Sequence, residues 1–284
     1  MTMTARSTAA LVTGCSSGIG RAAALALHEA GFPVVATARR PETLADLAGR
    51  GLTALALDVT EETSMRAAVE AVEAEHGAVG VLVNNAGYAL QATVEEADLR
   101  ELRRQFETNV FGPVRLTQLV LPGMRAQRWG RIVNVGSMGG RFTFPGGGCY
   151  HASKHALEAI SDALRLEVEA FGISVSLIQP GPVQTRFGDA ALDTMDPEAA
   201  AADSPYAQCN AELAARYARA YDERAARSNV TPEQVADAVV AAAGEHPRPR
   251  YAVGLVAKAM ITGRRVTPDV VWDAMMRRSW PVPR

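Results

Sequence analysis

Short apolar runs alternate with amphipathic stretches along most of the chain, and each run stops at a glycine or a polar group. Ala9–Val12, Phe32–Ala38, Leu52–Leu57, Val79–Val83, Arg131–Val135 and Ile173–Ile178 read as strands, and the composition of Val79–Val83 marks it as buried on both faces. Between them, Arg21–Ala30, Glu62–His76, Leu99–Arg128 and His155–Phe171 carry the 3.6-residue spacing of helices. Gly31 stops the first helix, Thr60 is expected to cap the second, and Gly112-Pro113 is expected to kink the third. The stretch from Gly188 to Asn229 is alanine-rich and helical, with Leu213, Tyr217 and Tyr221 at spacing four. Thr231-Pro232-Glu233 opens a further helix, with Thr as cap and Pro at the first position. Tyr251–Gly254 reads as the last strand, and Met260–Trp280 interleaves basic and apolar residues. That last segment is expected to dock against a partner subunit or the domain's own edge. Strands alternating with helices predict an α/β fold, a doubly wound parallel sheet of about seven strands with helices on both faces. One domain covers 1–284, with a tail at 1–8, a substrate lid at 188–230 and a C-terminal extension at 255–284.

Composition narrows the class. The chain has 284 residues, 48% hydrophobic and 21% charged, with net charge −2, an ordinary globular profile with no basic bias toward nucleic acid or anionic membrane. Cys15, Cys149 and Cys209 are too few and too scattered for a disulfide framework or a zinc site. They suit a reducing, cytoplasmic setting. Met1–Thr8 lacks the apolar stretch of a signal peptide, and no run approaches the roughly 18 residues of a membrane span.

Candidate chemistry sits where the predicted strands end. Thr13-Gly14-Cys15-Ser16-Ser17-Gly18-Ile19-Gly20 lies between a strand and a helix. There, glycines let a phosphate approach the backbone and a helix N-terminus presents free N–H groups. The G-x-x-x-G-x-G spacing departs from the usual Rossmann G-x-G-x-x-G. The second strand ends at Ala38-Arg39-Arg40, where an NAD site carries an acid for the ribose 2′-hydroxyl. A guanidinium instead suits a 2′-phosphate and points to NADP(H), with NAD(H) the alternative. Later strands end at Asp58-Val59, Asn84-Asn85-Ala86-Gly87, Gly136-Ser137 and Gln179-Pro180-Gly181-Pro182-Val183-Gln184-Thr185. Tyr150 and Lys154 are four residues apart and share one helix face. An ammonium beside a phenol favours the phenolate, as acid–base work near neutrality requires. Ser137 precedes Tyr150 by 13 residues, with the Arg141–Gly148 loop between them, and Asn109 falls inside the long third helix.

Taken together in this order, the glycine turn, Asn84-Asn85-Ala86-Gly87, Asn109, Ser137, Tyr150-x-x-x-Lys154 and Pro180-Gly181 strongly resemble the short-chain dehydrogenase/reductase family, over roughly Ala9 to Thr185. Within it, the glycine turn and Gln179–Thr185 look most similar to the hydroxysteroid and retinol dehydrogenase-like branch. The resemblance implies a single-domain Rossmann fold and an NADP(H)-dependent oxidoreductase that interconverts a carbonyl and a secondary alcohol. It implies Tyr150 as general acid/base, Lys154 as its activator and ribose contact, Ser137 holding the substrate oxygen, and Asn109 steadying a water relay. It places the cofactor along Gly14, Ser16, Ser17, Gly18, Ile19, Gly20, Arg39, Arg40, Asp58, Val59, Asn85, Ala86, Gly87, Tyr150, Lys154, Pro180, Gly181, Val183 and Thr185. No metal is implied, and the family's members are usually homodimers or homotetramers built on the two long helices. Phe142, Phe144, Phe187, Met195, Tyr206, Tyr217 and Tyr221 suggest a bulky hydrophobic substrate, with Phe142 and Phe187 as contacts. The rival readings are an NADP(H)-sensing regulator without turnover, and an epimerase or dehydratase on the same scaffold.

Overall fold

The computed structural model describes residues 6–185, 187–192, 194, 204–220 and 229–282. In chain order its regular elements are β1 (Ala10–Val12), α1 (Gly18–Glu29), β2 (Val34–Ala38), α2 (Ala45–Ala48), β3 (Thr53–Ala56), α3 (Glu62–His76) and β4 (Val81–Asn84). Then come α4 (Leu99–Phe106), a π turn (Glu107–Phe111), α5 (Gly112–Ala126), β5 (Gly130–Val135), α6 (Gly148–Val168) and β6 (Ile173–Pro180). The chain continues through α7 (Phe187–Leu192), α8 (Ala207–Ala220), α9 (Pro232–Ala243), β7 (Arg250–Val253), α10 (Leu255–Val266) and α11 (Asp269–Ser279). Met195 and Tyr221, expected in the substrate pocket, lie outside the described residues.

The seven strands form one parallel sheet in the order β3-β2-β1-β4-β5-β6-β7. The order reverses direction between β1 and β4, which puts the switch point beside the end of β1. Alternate residues on each strand face opposite layers. Val12, Val83 and Val133 pack with Ala23, Leu27, Val235 and Val239 of α1 and α9. Leu11, Leu82 and Ile132 pack with Val69, Leu116, Val120 and Met124 of α3 and α5. Because both faces of β1, β2, β4 and β5 are covered, these strands are buried throughout and read as continuous runs rather than as alternating ones, whereas the edge strands β3 and β7 are only partly buried.

The structure corrects three local expectations. The helix expected from His155 starts at Gly148 and ends at Val168, with a 3₁₀ turn through Phe171, so Tyr150 lies in its first turn. Thr60 does not cap α3: its hydroxyl donates to Asp58 Oδ1 (2.7 Å), and Glu61 occupies the cap position. The third long helix is interrupted ahead of Gly112-Pro113, by the π turn at Glu107–Phe111. Gly112 is needed there because a Cβ would collide with the Val59 main chain. The Thr231 cap holds as a full capping box with Gln234.

The C-terminal extension docks on the domain's own edge. Trp272 and Met276 of α11 are buried against Phe142, whose ring centroid is 5.6 Å from that of Trp272. Among the described residues, no helix is long and apolar enough to cross a membrane.

Candidate functional site at the carboxyl ends of the strands

In a parallel sheet all strands point the same way, so the expected site residues collect along one edge. The turn after β1 is built for close approach. Gly14 and Gly18 have φ of +73° and +57°, a region that side chains disfavour. A Cβ on Gly20 would collide with the Gly14 carbonyl and the Asn85 amide, so the glycine lets α1 begin directly against the turn. Ser17 occupies the N-cap in extended conformation and makes no capping bond, and the first turn of α1 carries no acid. Its leading N–H groups are thus left for an outside acceptor, with the positive end of the helix dipole behind them. Ser16 is exposed, and Ile19 is half-buried against the core. A dinucleotide pyrophosphate requires this kind of surface, so the residues present fit the group.

Thr13 locks this turn to the next strand. Its hydroxyl oxygen accepts from the amides of Asn85 and Ala86, both at 2.9 Å, while Asn85 Nδ2 donates to the Thr13 carbonyl at 2.8 Å. Thr13 was not singled out as a site residue, although a threonine directly before a glycine turn at a strand end is the available signal. Arg39 and Arg40 follow β2, both exposed and, among the described residues, in no ion pair. After β3, Asp58 Oδ1 accepts from the Thr60 amide, and the Val59 side chain is buried in the core. Val59 therefore offers a ligand its main chain and not its side chain.

The expected acid–base pair stands on α6. Tyr150 is half-buried, and Lys154 is buried one turn further on, its Nζ 5.8 Å from the centre of the Tyr150 ring. Lys154 Nζ donates to the Val135 carbonyl at 2.9 Å. Burial pushes the ammonium down from its ordinary value to about 8. Gly87 gives access to it: a Cβ there would lie 3.0 Å from Asn109 Oδ1 and 3.8 Å from Lys154 Nζ. Asn109 comes from the π turn, a feature frequent at functional sites. It grips Tyr88 by both main-chain groups, accepting from the amide (3.1 Å) and donating to the carbonyl (2.9 Å), and also donates to Ser153 Oγ at 3.1 Å. Ser153 in turn donates to the Tyr150 carbonyl at 2.7 Å. Asn109 and Ser153 thus tie the strand β4 exit to the first turn of α6; Ser153 is another residue that spacing alone did not reveal.

Two hydroxyls present their hydrogens in the same way. Ser137 Oγ accepts from the Gly139 amide at 3.0 Å, and Thr185 Oγ1 accepts from the Phe187 amide at 3.2 Å. With the oxygen anchored, each O–H is left to donate. Thr185 lies over Gly18, its methyl 3.0 Å from where a Cβ would be, so the β6 exit covers the glycine turn. That exit is fixed by the Gly181 amide on the Val253 carbonyl (3.1 Å) and by a bridge from Val183 to Val230, with Pro180 ending β6. The Phe187 ring lies 5.7 Å from that of Tyr150. Phe142, expected at the substrate, is instead packed into the cluster with Trp272 and Met276. His151 braces the wall behind Tyr150: it is buried, hydrogen-bonded to Thr143 Oγ1 (3.0 Å), and pushed down to about 4 by burial, so it is neutral near pH 7.

A doubly wound sheet with a pyrophosphate-ready turn at its switch point defines a dinucleotide-binding fold. A model of the short chain dehydrogenase family matches residues 8–196. The chain is 38% identical to "Uncharacterized oxidoreductase YbbO" of Escherichia coli strain K12, over 94% of this chain and 93% of that protein. It is also 38% identical to the "NADPH-dependent 1-acyldihydroxyacetone phosphate reductase" of Schizosaccharomyces pombe, over 69% and 67%. A solved short-chain dehydrogenase from Streptomyces avermitilis superposes with a TM-score of 0.74 at 36% identity, covering 97% of both chains. The chain belongs to the short-chain dehydrogenase/reductase family and is an oxidoreductase of that family.

The buried Lys154 generates a stability prediction with a definite sign. An unfolded lysine holds its proton up to about pH 10.4, whereas the folded one releases it from about pH 8. Between those values the unfolded state binds more protons, so this group makes stability rise with pH. Lys154→Met is expected to melt several degrees higher than the wild type at pH 7, and that advantage is expected to shrink from pH 8 to 10. Thermal melts of both proteins across this range check it.

Proposed function

We propose that the protein is an NADP(H)-dependent oxidoreductase that interconverts a bulky hydrophobic carbonyl compound and its secondary alcohol. The observation that carries this reading is the pair of Tyr150 and the buried Lys154 ammonium on one face of α6, reached past Gly87. NADP(H), when bound, supplies or accepts the hydride. The turn from Gly14 to Gly20 would hold its pyrophosphate through the α1 amides, and Asn85 to Gly87 and the main chain at Asp58 and Val59 would border the adenosine. Pro180, Gly181, Val183 and the donor on Thr185 would border the nicotinamide end. Tyr150 moves the proton: its phenol donates to the substrate oxygen in reduction and its phenolate withdraws it in oxidation. The Lys154 ammonium beside it favours the phenolate and makes the proton easier to give up. Ser137 donates to the same substrate oxygen, where negative charge grows. Asn109 positions the proton path from Lys154 by holding Tyr88 and Ser153.

The arginine pair after β2 supports NADP(H) over NAD(H). Arg39 and Arg40 are exposed cations with no carboxylate partner among the described residues, where a 2′-phosphate would lie. The S. pombe relative is named as NADPH-dependent. An apolar substrate is supported by Phe187 against Tyr150 and by α7 and α8, which we read as the lid. A homodimer or homotetramer through α4, α5 and α6 is supported by Phe111 (53% exposed) and Leu166 (72%), two large apolar side chains left in solvent.

Tyr150→Phe keeps the ring and loses the proton. It is expected to reduce turnover of a bulky ketone by roughly 100-fold or more, far beyond any loss of cofactor affinity, measured by NADPH oxidation and by titration of nicotinamide fluorescence. Turnover within a few-fold of the wild type would exclude Tyr150 as the acid. Arg39→Ala is expected to weaken NADPH binding by about tenfold or more, with NADH unaffected. An equal effect on both coenzymes would contradict the assignment of Arg39 to the 2′-phosphate.

A further inference from the structure

Away from the strand ends, a cavity of about 440 Å³ opens between α8 and the end of the C-terminal extension. That size falls among small-molecule pockets, roughly 300–1,000 Å³. Arg216 and Arg219 reach it from α8, Arg277 and Arg278 from the last turn of α11, and Trp280 from the segment that follows. One carboxylate, Glu212, lies in the wall and accepts from Gln208 Nε2 at 2.9 Å. Among the described residues, the cavity thus carries four cations against one anion.

Several arginines elsewhere are paired locally, Arg100 with Asp98, Arg104 with Glu101, Arg115 with Glu62 and Arg264 with Asp269, and the exposed ones left unpaired among the described residues, such as Arg39, Arg103 and Arg125, do not line this cavity. Among the described residues, none of the four cavity arginines is in an ion pair. Four like charges around one cavity repel each other unless an anion occupies it. Placement at the last turns of α8 and α11 suits a cation toward the helix dipole, but it does not require four of them to converge on one space. One of them is also held in place: the Arg216 guanidinium lies 4.2 Å from the centre of the Trp280 ring.

We propose that this cleft is a binding site for a phosphate-bearing ligand, a monoester or diphosphate gripped by the arginine forks of α8 and α11. Guanidinium groups match phosphate oxygens two at a time, and arginines arriving from two separate helices can hold one phosphate from both sides. The site is distinct from the glycine turn and does not depend on the coenzyme assignment. It is nevertheless linked to the candidate active site by rings. Trp280 stacks on Phe144 at 3.8 Å and 7°, and Phe144 meets His151 edge-on at 4.4 Å. His151 directly follows Tyr150, and Phe144 belongs to the loop at 141–148. A ligand clamped between α8 and α11 therefore fixes the helix that we read as lid and braces the loop beside Tyr150.

The phosphate could be carried by the carbonyl substrate or by a separate ligand, and the experiment distinguishes the two. Pyrophosphate is titrated by calorimetry into protein saturated with NADP⁺, which keeps the probe off the glycine turn. Saturable binding is expected, weakened about tenfold or more in Arg216→Gln and in Arg278→Gln, and unchanged in Arg125→Gln, an exposed arginine elsewhere. Melting curves confirm that each variant is folded. Absent saturable binding, or equal binding in all four proteins, would mean an adventitious ion only and would overturn the proposal. A matched pair of ketones with and without a terminal phosphate then separates the sources. A rise in KM in Arg278→Gln confined to the phosphorylated ketone assigns the cleft to the substrate's own phosphate. A pyrophosphate effect on turnover of the unphosphorylated ketone, present in the wild type and lost in Arg278→Gln, assigns it to a separate ligand.

Discussion

A buried ammonium is the constraint around which the site is organised. Lys154 sits almost out of solvent, satisfied by the Val135 carbonyl and placed within reach of the Tyr150 ring. Isolated charge is costly to bury, and here the cost shows as a pKa driven down to about 8. The composition of the chain marks the position further. Of 29 cationic side chains only two are lysines, Lys154 and Lys258, and all the rest are arginines. A guanidinium could not take this place on equal terms: it is larger, forked and permanently charged, whereas an ammonium is compact and able to titrate. A chain that uses arginine nearly everywhere keeps lysine where a small, adjustable charge is required.

The sheet explains why so many separate segments serve that charge. Parallel strands bring the exits of β1, β4, β5 and β6 to one edge, and each exit is then fixed by a specific hydrogen bond. Thr13 ties the β1 turn to Asn85 and Ala86; Asn109, presented by a π turn, ties Tyr88 to Ser153. Ser137 and Thr185 have their oxygens anchored by main-chain amides, which directs their hydrogens outward. Behind α6, the buried carboxylate of Glu158 accepts from Gln179 of β6 and pairs with Arg250 of β7, so the helix carrying Tyr150 and Lys154 is fastened to two strands. Preorganised donors at the place where charge develops are the form that electrostatic catalysis takes.

The layered sheet and the gathering of the candidate residues at its edge were legible in the residues because both depend on local pattern. Apolar runs between glycines located every strand, and Tyr150 and Lys154 share a face at any helical register. What escaped depends on tertiary contact. The start of α6 at Gly148 is hidden because three consecutive glycines suggest a loop, yet Gly147 and Gly139 are required by the close approach of His151. Phe142 reads as a pocket aromatic, but only the fold brings it under Trp272 and Met276. The π turn has no composition of its own, and the arginine cleft joins residues some sixty positions apart in sequence.

The most direct test of the central claim is a carbon-13 NMR titration of the chain labelled at the lysine ε-carbons, which gives two signals. Lys258 is exposed and serves as the internal reference, and Lys154→Met assigns the other. The Lys154 signal is expected to titrate at about pH 8. A Lys154 signal that remains that of an ammonium up to pH 10, like Lys258, would contradict the desolvated ammonium on which the site is built.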